Sequence, residues 1–143
     1  MTRFLLDTNV ISEPLRPQPS IAVMRWLEAQ DPGSLFLSAV TLGELVAGIR
    51  RLASSSRRRA LEQWLMDVVA PQFQDRILAF DSDAAWRWGA FVADSEAAGR
   101  PRPAVDLQIA AIAAHHDLVL VTRNATDFEG LGVDVLNPWS GRG

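Results

Sequence analysis

The sequence predicts an α/β fold, a twisted parallel sheet of roughly four to five short strands flanked by helices on both faces. Short apolar runs alternate along the chain with longer stretches of helical periodicity. The runs lack the in–out alternation of a half-exposed sheet, so both of their faces are buried, and parallel strands need helical crossovers between them. The composition is that of a globule: 143 residues, 48% hydrophobic and 22% charged. That length suits one domain over residues 1–143 with one substantial core.

The first strand is Arg3 to Leu6, running into Asp7-Thr8-Asn9, which reads as a helix cap. Pro14, Pro17 and Pro19 break the chain before Ser20 caps a helix with Ile21, Val23, Met24 and Leu27 on its apolar face. Asp31-Pro32-Gly33 stops it, and Leu35-Phe36-Leu37 is the second strand. A helix follows from Val40 to Leu52, and another from Arg57 to Val69 with Leu61, Trp64, Leu65 and Val68 on one face. Ile77 to Phe80 is the third strand, Ser82 to Ala98 a helix closed by Gly99, and Val105 to His115 a helix of small residues. Leu118 to Thr122 and Val133 to Leu136 are the last two strands.

Absent residue types exclude whole classes of chemistry. With no cysteine there are no disulfides, thiolate metal sites or cysteine nucleophiles, and with no tyrosine no phenol serves as acid or base. All 14 basic residues are Arg. The lack of lysine rules out P-loop phosphate binding, Schiff-base chemistry and the Ser-Lys dyad. It also disfavours phosphoryl-accepting receiver domains and haloacid-dehalogenase-type phosphatases, which rely on a lysine; the latter also need an acid where Asn9 stands. A net charge of −3 speaks against a protein that coats polyanions. No run reaches the roughly 18 apolar residues of a membrane span, and the N-terminus lacks signal-peptide architecture, so a cytoplasmic protein without membrane association is expected.

In open parallel sheets, active groups collect beyond the carboxyl ends of the strands. Asp7 follows the first strand, Glu44 lies early in the helix after the second, Asp106 starts the alanine-rich helix, and Asp127 lies in the loop after the Leu118–Thr122 strand. Brought to one rim, these four carboxylates would raise one another's pKa unless a cation intervened. Oxygen-only ligands favour Mg²⁺ or Mn²⁺, which can orient water and stabilise charge on a phosphate. Each acid also has an ordinary reading. Asp7 can cap a helix, Thr41-Leu42-Gly43-Glu44 matches a capping box, and Asp127 can be a turn residue. Asp106 is harder to explain away, because a lone acid among Ala104, Val105, Leu107, Ile109 and Ala110 is costly to bury. Arg50, Arg51, Arg100, Arg102 and Arg123 would suit phosphate, which guanidinium matches bidentately. His115-His116 ends a helix and reads as structural, Arg57-Arg58-Arg59 as a solvated helix start, and the five Trp residues mostly as core or interface. Trp139, after Pro138, is expected to pin the tail. Helices from Ser20 to Val69 carry more large apolar residues, including Trp26, Trp64 and Leu65, than one small core needs, which suggests a homodimer.

Four blocks in order resemble the PIN-domain ribonucleases, and more narrowly the VapC toxins of bacterial toxin–antitoxin pairs, in their FitB-like branch. They are Leu5-Leu6-Asp7-Thr8-Asn9-Val10-Ile11-Ser12-Glu13, Thr41-Leu42-Gly43-Glu44-Leu45, Val105-Asp106-Leu107-Gln108-Ile109-Ala110-Ala111, and Val121-Thr122-Arg123-Asn124-Ala125-Thr126-Asp127-Phe128. The likeness runs from Leu5 to Asn137-Pro138-Trp139. It implies Mg²⁺- or Mn²⁺-dependent endonucleolytic cleavage of tRNA or ribosomal RNA, leaving 5′-phosphate and 3′-hydroxyl ends and so inhibiting translation and growth. By motif match, Asp7, Glu44 and Asp106 would hold the metal, Thr122 would line the site and Asn9 would orient the first carboxylate. Many relatives carry Asp at the position of Asn124, so the fourth place falls either to Asp127 or to a neutral oxygen from Asn124. The resemblance further implies a dimer neutralised by a small DNA-binding antitoxin in a hetero-oligomer, which touches operator DNA only through the antitoxin. The alternative is a catalytically inactive PIN-like module that binds an antitoxin or nucleic acid as a scaffold.

Overall fold

The computed structural model describes residues 1–140; the last three residues of the expected domain lie outside that range. Five parallel strands form a sheet in the order β3-β2-β1-β4-β5: β1 Phe4–Leu6, β2 Leu35–Ser38, β3 Ile77–Leu78, β4 Val119–Val121 and β5 Val135–Leu136. Their register pairs Phe4 with Leu35 on one side of β1 and Leu5 with Leu120 on the other. All five strands fall where the sequence indicated, but β3, β4 and β5 are shorter than the Ile77 to Phe80, Leu118 to Thr122 and Val133 to Leu136 runs.

Alternation along β1 sorts the core into two faces. Phe4 and Leu6 join Leu35, Leu37 and Val121 beneath α1 (Thr8–Ser12), α2 (Ile21–Ala29) and α3 (Ala39–Arg50), with Val10, Leu45, Ile49 and Phe73 filling the layer. Leu5 and Leu120 face the other way, onto α6 (Ser82–Ala97) and α7 (Ala104–His115), through Ala84, Ile109, Ala110, Ile112 and Ala113. The buried alanines of α7 let that helix lie close to the sheet, which holds Asp106, in its first turn, near the strand ends. Among the described residues, no helix is long and apolar enough to cross a membrane.

One sequence expectation is corrected by the structure, and a second is met in part. The helix expected from Arg57 to Val69 is α4 (Ser56–Trp64), then a π-helical turn over Leu65–Val69, then the short α5 (Ala70–Gln72). A π turn takes up an extra residue and rotates the helical positions after it. Val68, expected on the apolar face, is therefore 49% exposed, and Val69 takes the core position. Of the large apolar residues read as surplus for a dimer, Trp26, Trp64 and Leu65 are used in this chain's own core, while Ile21, Val46, Met66 and Val68 stay exposed. Trp26 stacks edge-on against Phe4 at 5.0 Å, Leu65 is buried, and Trp64 packs on the same cluster. Trp86 on α6 lies outside the core and is 82% exposed.

The end of β2 shows how local chemistry sets the site. Ser38, fully buried, caps α3: its Oγ accepts from the Thr41 N–H at 2.8 Å and donates to the Thr41 hydroxyl at 3.0 Å. Ser38→Ala strips both bonds from a buried helix start, and we expect a loss of about 1–2 kcal/mol of stability in urea unfolding.

Candidate metal centre

The strand order reverses direction between β1 and β4, where an open parallel sheet leaves a crevice at its carboxyl edge. Asp7 and Thr122 are the first residues beyond those two strands, and the backbone N–H of Asp7 still bonds to Val121 at 2.9 Å. Thr122, with no solvent exposure, donates its hydroxyl to Asp7 Oδ2 at 2.7 Å across the crevice. The other oxygen, Oδ1, accepts the Thr8 N–H at 2.8 Å as the cap of α1. Asp7 thus caps the helix, as one of its sequence readings had it, and both of its carboxylate oxygens are held by hydrogen bonds at the switch point.

Glu44 is not part of a capping box. The cap of α3 is Ser38, and the Glu44 carboxylate accepts instead from the Thr8 hydroxyl at 2.9 Å. Thr8, adjacent to Asp7, therefore touches both acids, a role its sequence position did not reveal because a Thr after a capping Asp is ordinary at a helix start. Asn9 ties the two strand ends together: its Nδ2 donates to Thr122 Oγ1 at 3.4 Å, and its Oδ1 accepts the Arg123 N–H at 3.3 Å. Asn124 gives its own backbone N–H to Thr122 Oγ1 at 3.1 Å. Asp127 lies in the 3₁₀ turn Ala125–Phe128, anchored by the buried Phe128.

Asp106 registers the gathering electrostatically. Burial pushes its carboxyl above the ordinary carboxylate range, and the charges of Asp7, Asp127 and Glu44 add to the rise in that order. Among the described residues none of the four acids joins an ion pair. Nor, among the described residues, do any three of them bring one oxygen each within 4.8 Å of one another. A hard cation that keeps several of its own waters needs only one or two direct carboxylates, so this uncompensated, oxygen-only set fits Mg²⁺ or Mn²⁺.

The arginines divide. Arg50 lies beside Glu62 and Met66 in a hollow between α3 and α4. Arg100 donates to the Thr126 carbonyl at 2.8 Å, and Arg102 to the carbonyls of Asp127 and Glu129, so their N–H groups bind backbone where the sequence suggested phosphate. Arg123 follows Thr122 directly, is exposed, and lies 5.4 Å from the ring centre of Trp139. Asn137 bonds to the Arg123 carbonyl and to the Trp139 N–H, so the Asn-Pro-Trp segment is pinned at this rim as expected.

A different cluster, Asp81, Asp83 and His115, lies at the far end of α7, about 14 Å along the helix from Asp106. Asp81 caps α6 through the Ala84 N–H, which favours the charged carboxylate and lowers its pKa. Asp83 pairs with His115 at 3.7 Å. Burial holds the neighbouring His116 below its ordinary value, and Arg3 binds the His116 carbonyl at the helix end.

The PIN-domain sequence profile matches residues 4–132 of the chain. The chain belongs to the PIN-domain family. Over 135 residues this PIN domain is 37% identical to the VapC ribonuclease Y4jK of Sinorhizobium fredii, covering 94% of this chain and 96% of that protein. Among solved structures, FitAcB from Neisseria gonorrhoeae is 39% identical with a TM-score of 0.91, covering 95% of this chain and 98% of that one. DNA-bound VapBC from Salmonella typhimurium is 25% identical with a TM-score of 0.78, covering 96% and 99% respectively.

Proposed function

We propose that this PIN domain is a metal-dependent endoribonuclease, the toxin of a toxin–antitoxin pair, cutting tRNA or ribosomal RNA by attack of water on a phosphodiester. The observation that carries the reading is Asp106: half-buried at the crevice, it feels three other unpaired carboxylates, and such a set is costly unless it holds a cation. Asp7, Glu44, Asp106 and Asp127 would hold the Mg²⁺ or Mn²⁺, which when bound neutralises charge at the scissile phosphate and activates water. Thr122 and Thr8 keep the Asp7 and Glu44 carboxylates oriented, Asn9 locks the two strand ends beneath them, and Asn124 serves the site through its backbone N–H to Thr122. Arg123, stiffened against Trp139, is placed to take an RNA phosphate at the rim.

The partner reading rests on the relatives, whose complexes pair a toxin with an antitoxin. A groove of about 570 Å³ runs from Thr8 and Glu44 along α3 and α4 past Leu45, Ile49, Leu61 and Trp64. Its lining is mostly apolar, with Glu44 at one end and Arg16 and Arg57 also present, and it suits an apolar antitoxin segment with a basic side chain for Glu44. Operator DNA is then contacted through the antitoxin, with two toxin chains in the hetero-oligomer, acting in the cytoplasm where the RNA is.

The test is cleavage of total RNA by the purified chain. EDTA is expected to abolish cutting, Mn²⁺ to restore it, and new ends to carry 5′-phosphate. Activity that survives EDTA, or that never appears with either metal, overturns the reading in favour of an inert scaffold or a contaminant.

A further inference from the structure

Asp127 stands on a single 3₁₀ turn, Ala125–Phe128. The Asp127 N–H reaches the Asn124 carbonyl at 3.0 Å, and the Glu129 N–H reaches that of Thr126 at a long 3.4 Å. The turn is gripped from outside by the segment that leads into α7. Arg102, four residues before Asp106, donates from Nη1 to the Asp127 carbonyl and from Nη2 to the Glu129 carbonyl, while Arg100 takes the Thr126 carbonyl. Pro101 and Pro103 flank Arg102 and fix the backbone on either side of it, so the guanidinium is delivered from a stiff segment. Gly130, at φ +83°, turns the chain back immediately after the gripped carbonyls, in a conformation that disfavours other residues. Among the described residues Arg102 forms no ion pair with the Asp127 carboxylate. Its charge therefore holds the turn by the backbone and leaves the carboxylate free.

We propose that Arg102, with Arg100 beside it, is a positioning residue: its forked guanidinium clamps the Asp127 turn to the root of α7 and so sets the distance between Asp127 and Asp106. This rests on the metal-nuclease reading for its purpose but not for the clamp itself. A planar guanidinium can serve two carbonyls at once in fixed geometry, whereas an ammonium on a flexible stem is a single point charge. Lysine at this place should therefore rescue little.

Two measurements on the full chain test this. Hydrogen exchange of residues 124–130 needs no metal: Arg102→Ala should speed it at least about tenfold, Arg102→Lys nearly as much, with Leu120 and Val121 unchanged. Calorimetric Mn²⁺ binding should weaken about tenfold in Arg102→Ala, the range seen when a group orienting a metal ligand is lost. Combined with Asp127→Asn, Arg102→Ala should add no further loss, because its effect passes through Asp127. Unchanged exchange in 124–130 overturns the clamp, and equal weakening of Mn²⁺ binding in the Asp127→Asn background overturns its action through Asp127. If Arg102→Ala loosens the turn but the unsubstituted chain binds no Mn²⁺, the clamp stands and the metal-nuclease reading falls. If Arg102→Ala does not fold, exchange in Arg102→Lys decides.

Discussion

Asp106→Asn is expected to abolish RNA cleavage and yet to make the metal-free protein more stable. The sign comes from the raised pKa of this carboxyl in the fold. A group that holds its proton more tightly folded than unfolded favours the folded state at low pH, and that contribution is lost as pH rises through the folded value. At pH 7 the ionised Asp106 is thus a net cost, arising from burial and from repulsion by Asp7, Asp127 and Glu44. The neutral amide removes that cost. In EDTA the variant should melt at least about 2 °C higher at pH 7, the shift that roughly 0.5 kcal/mol produces in a domain of this size, with the difference shrinking toward pH 4. In Mn²⁺ the order should reverse, because only the unsubstituted chain gains stability from binding. Cleavage should fall at least about 100-fold, some 2.7 kcal/mol of transition-state stabilisation. A variant that melts lower in EDTA at pH 7 would show that the carboxylates do not oppose one another as described.

Asp7→Asn and Thr122→Val separate charge from orientation at the same place. Asp7→Asn keeps the shape but cannot satisfy both the Thr8 N–H and the Thr122 hydroxyl as the carboxylate does, so about 1 kcal/mol of stability is lost. Its effect on cleavage should be far larger, at least about 100-fold, since the charge is gone. Thr122→Val leaves the charge and removes its orienting donor from a fully buried position, along with the acceptor used by Asn9 and Asn124. We expect a stability loss of about 1–3 kcal/mol and a smaller drop in cleavage, with the Mn²⁺ dependence moved to higher concentration. Equal cleavage by Asp7→Asn and the unsubstituted chain would remove Asp7 from the site. A Thr122→Val protein with full activity at low Mn²⁺ would show that the hydrogen bond is only structural.

Much of this was legible before any coordinates, for reasons specific to each element. The strands were readable because both of their faces are buried, which leaves short unbroken apolar runs such as Leu118 to Val121. Asp106 stood out because an acid on an alanine-packed helix needs an explanation. The π turn at Leu65–Val69 was not readable, since residue types that suit a π turn also suit an α-helix and the choice is made by packing. For the same reason Thr41-Leu42-Gly43-Glu44 satisfied a local pattern that the fold does not use: Ser38 was available as the cap, and Glu44 was drawn to Thr8, a residue 36 positions away.

Residue chemistry alone narrowed which reactions were possible. Without Lys, Cys or Tyr, whole classes of mechanism fell away, four carboxylates stood at positions the topology would gather, and apolar periodicity set the kind of sheet that would carry them. What tertiary structure decided was the assignment of partners. Thr8 and Thr122 became the donors that orient the acids, and Arg102 became a backbone clamp while Arg123 stayed at the rim. Such assignments depend on distances between segments brought together by strand pairing, from β1 to β4 across more than a hundred residues. Hydrogen bonds and ion fields act over a few ångströms in space, and local sequence patterns carry no record of which distant segments will come that close.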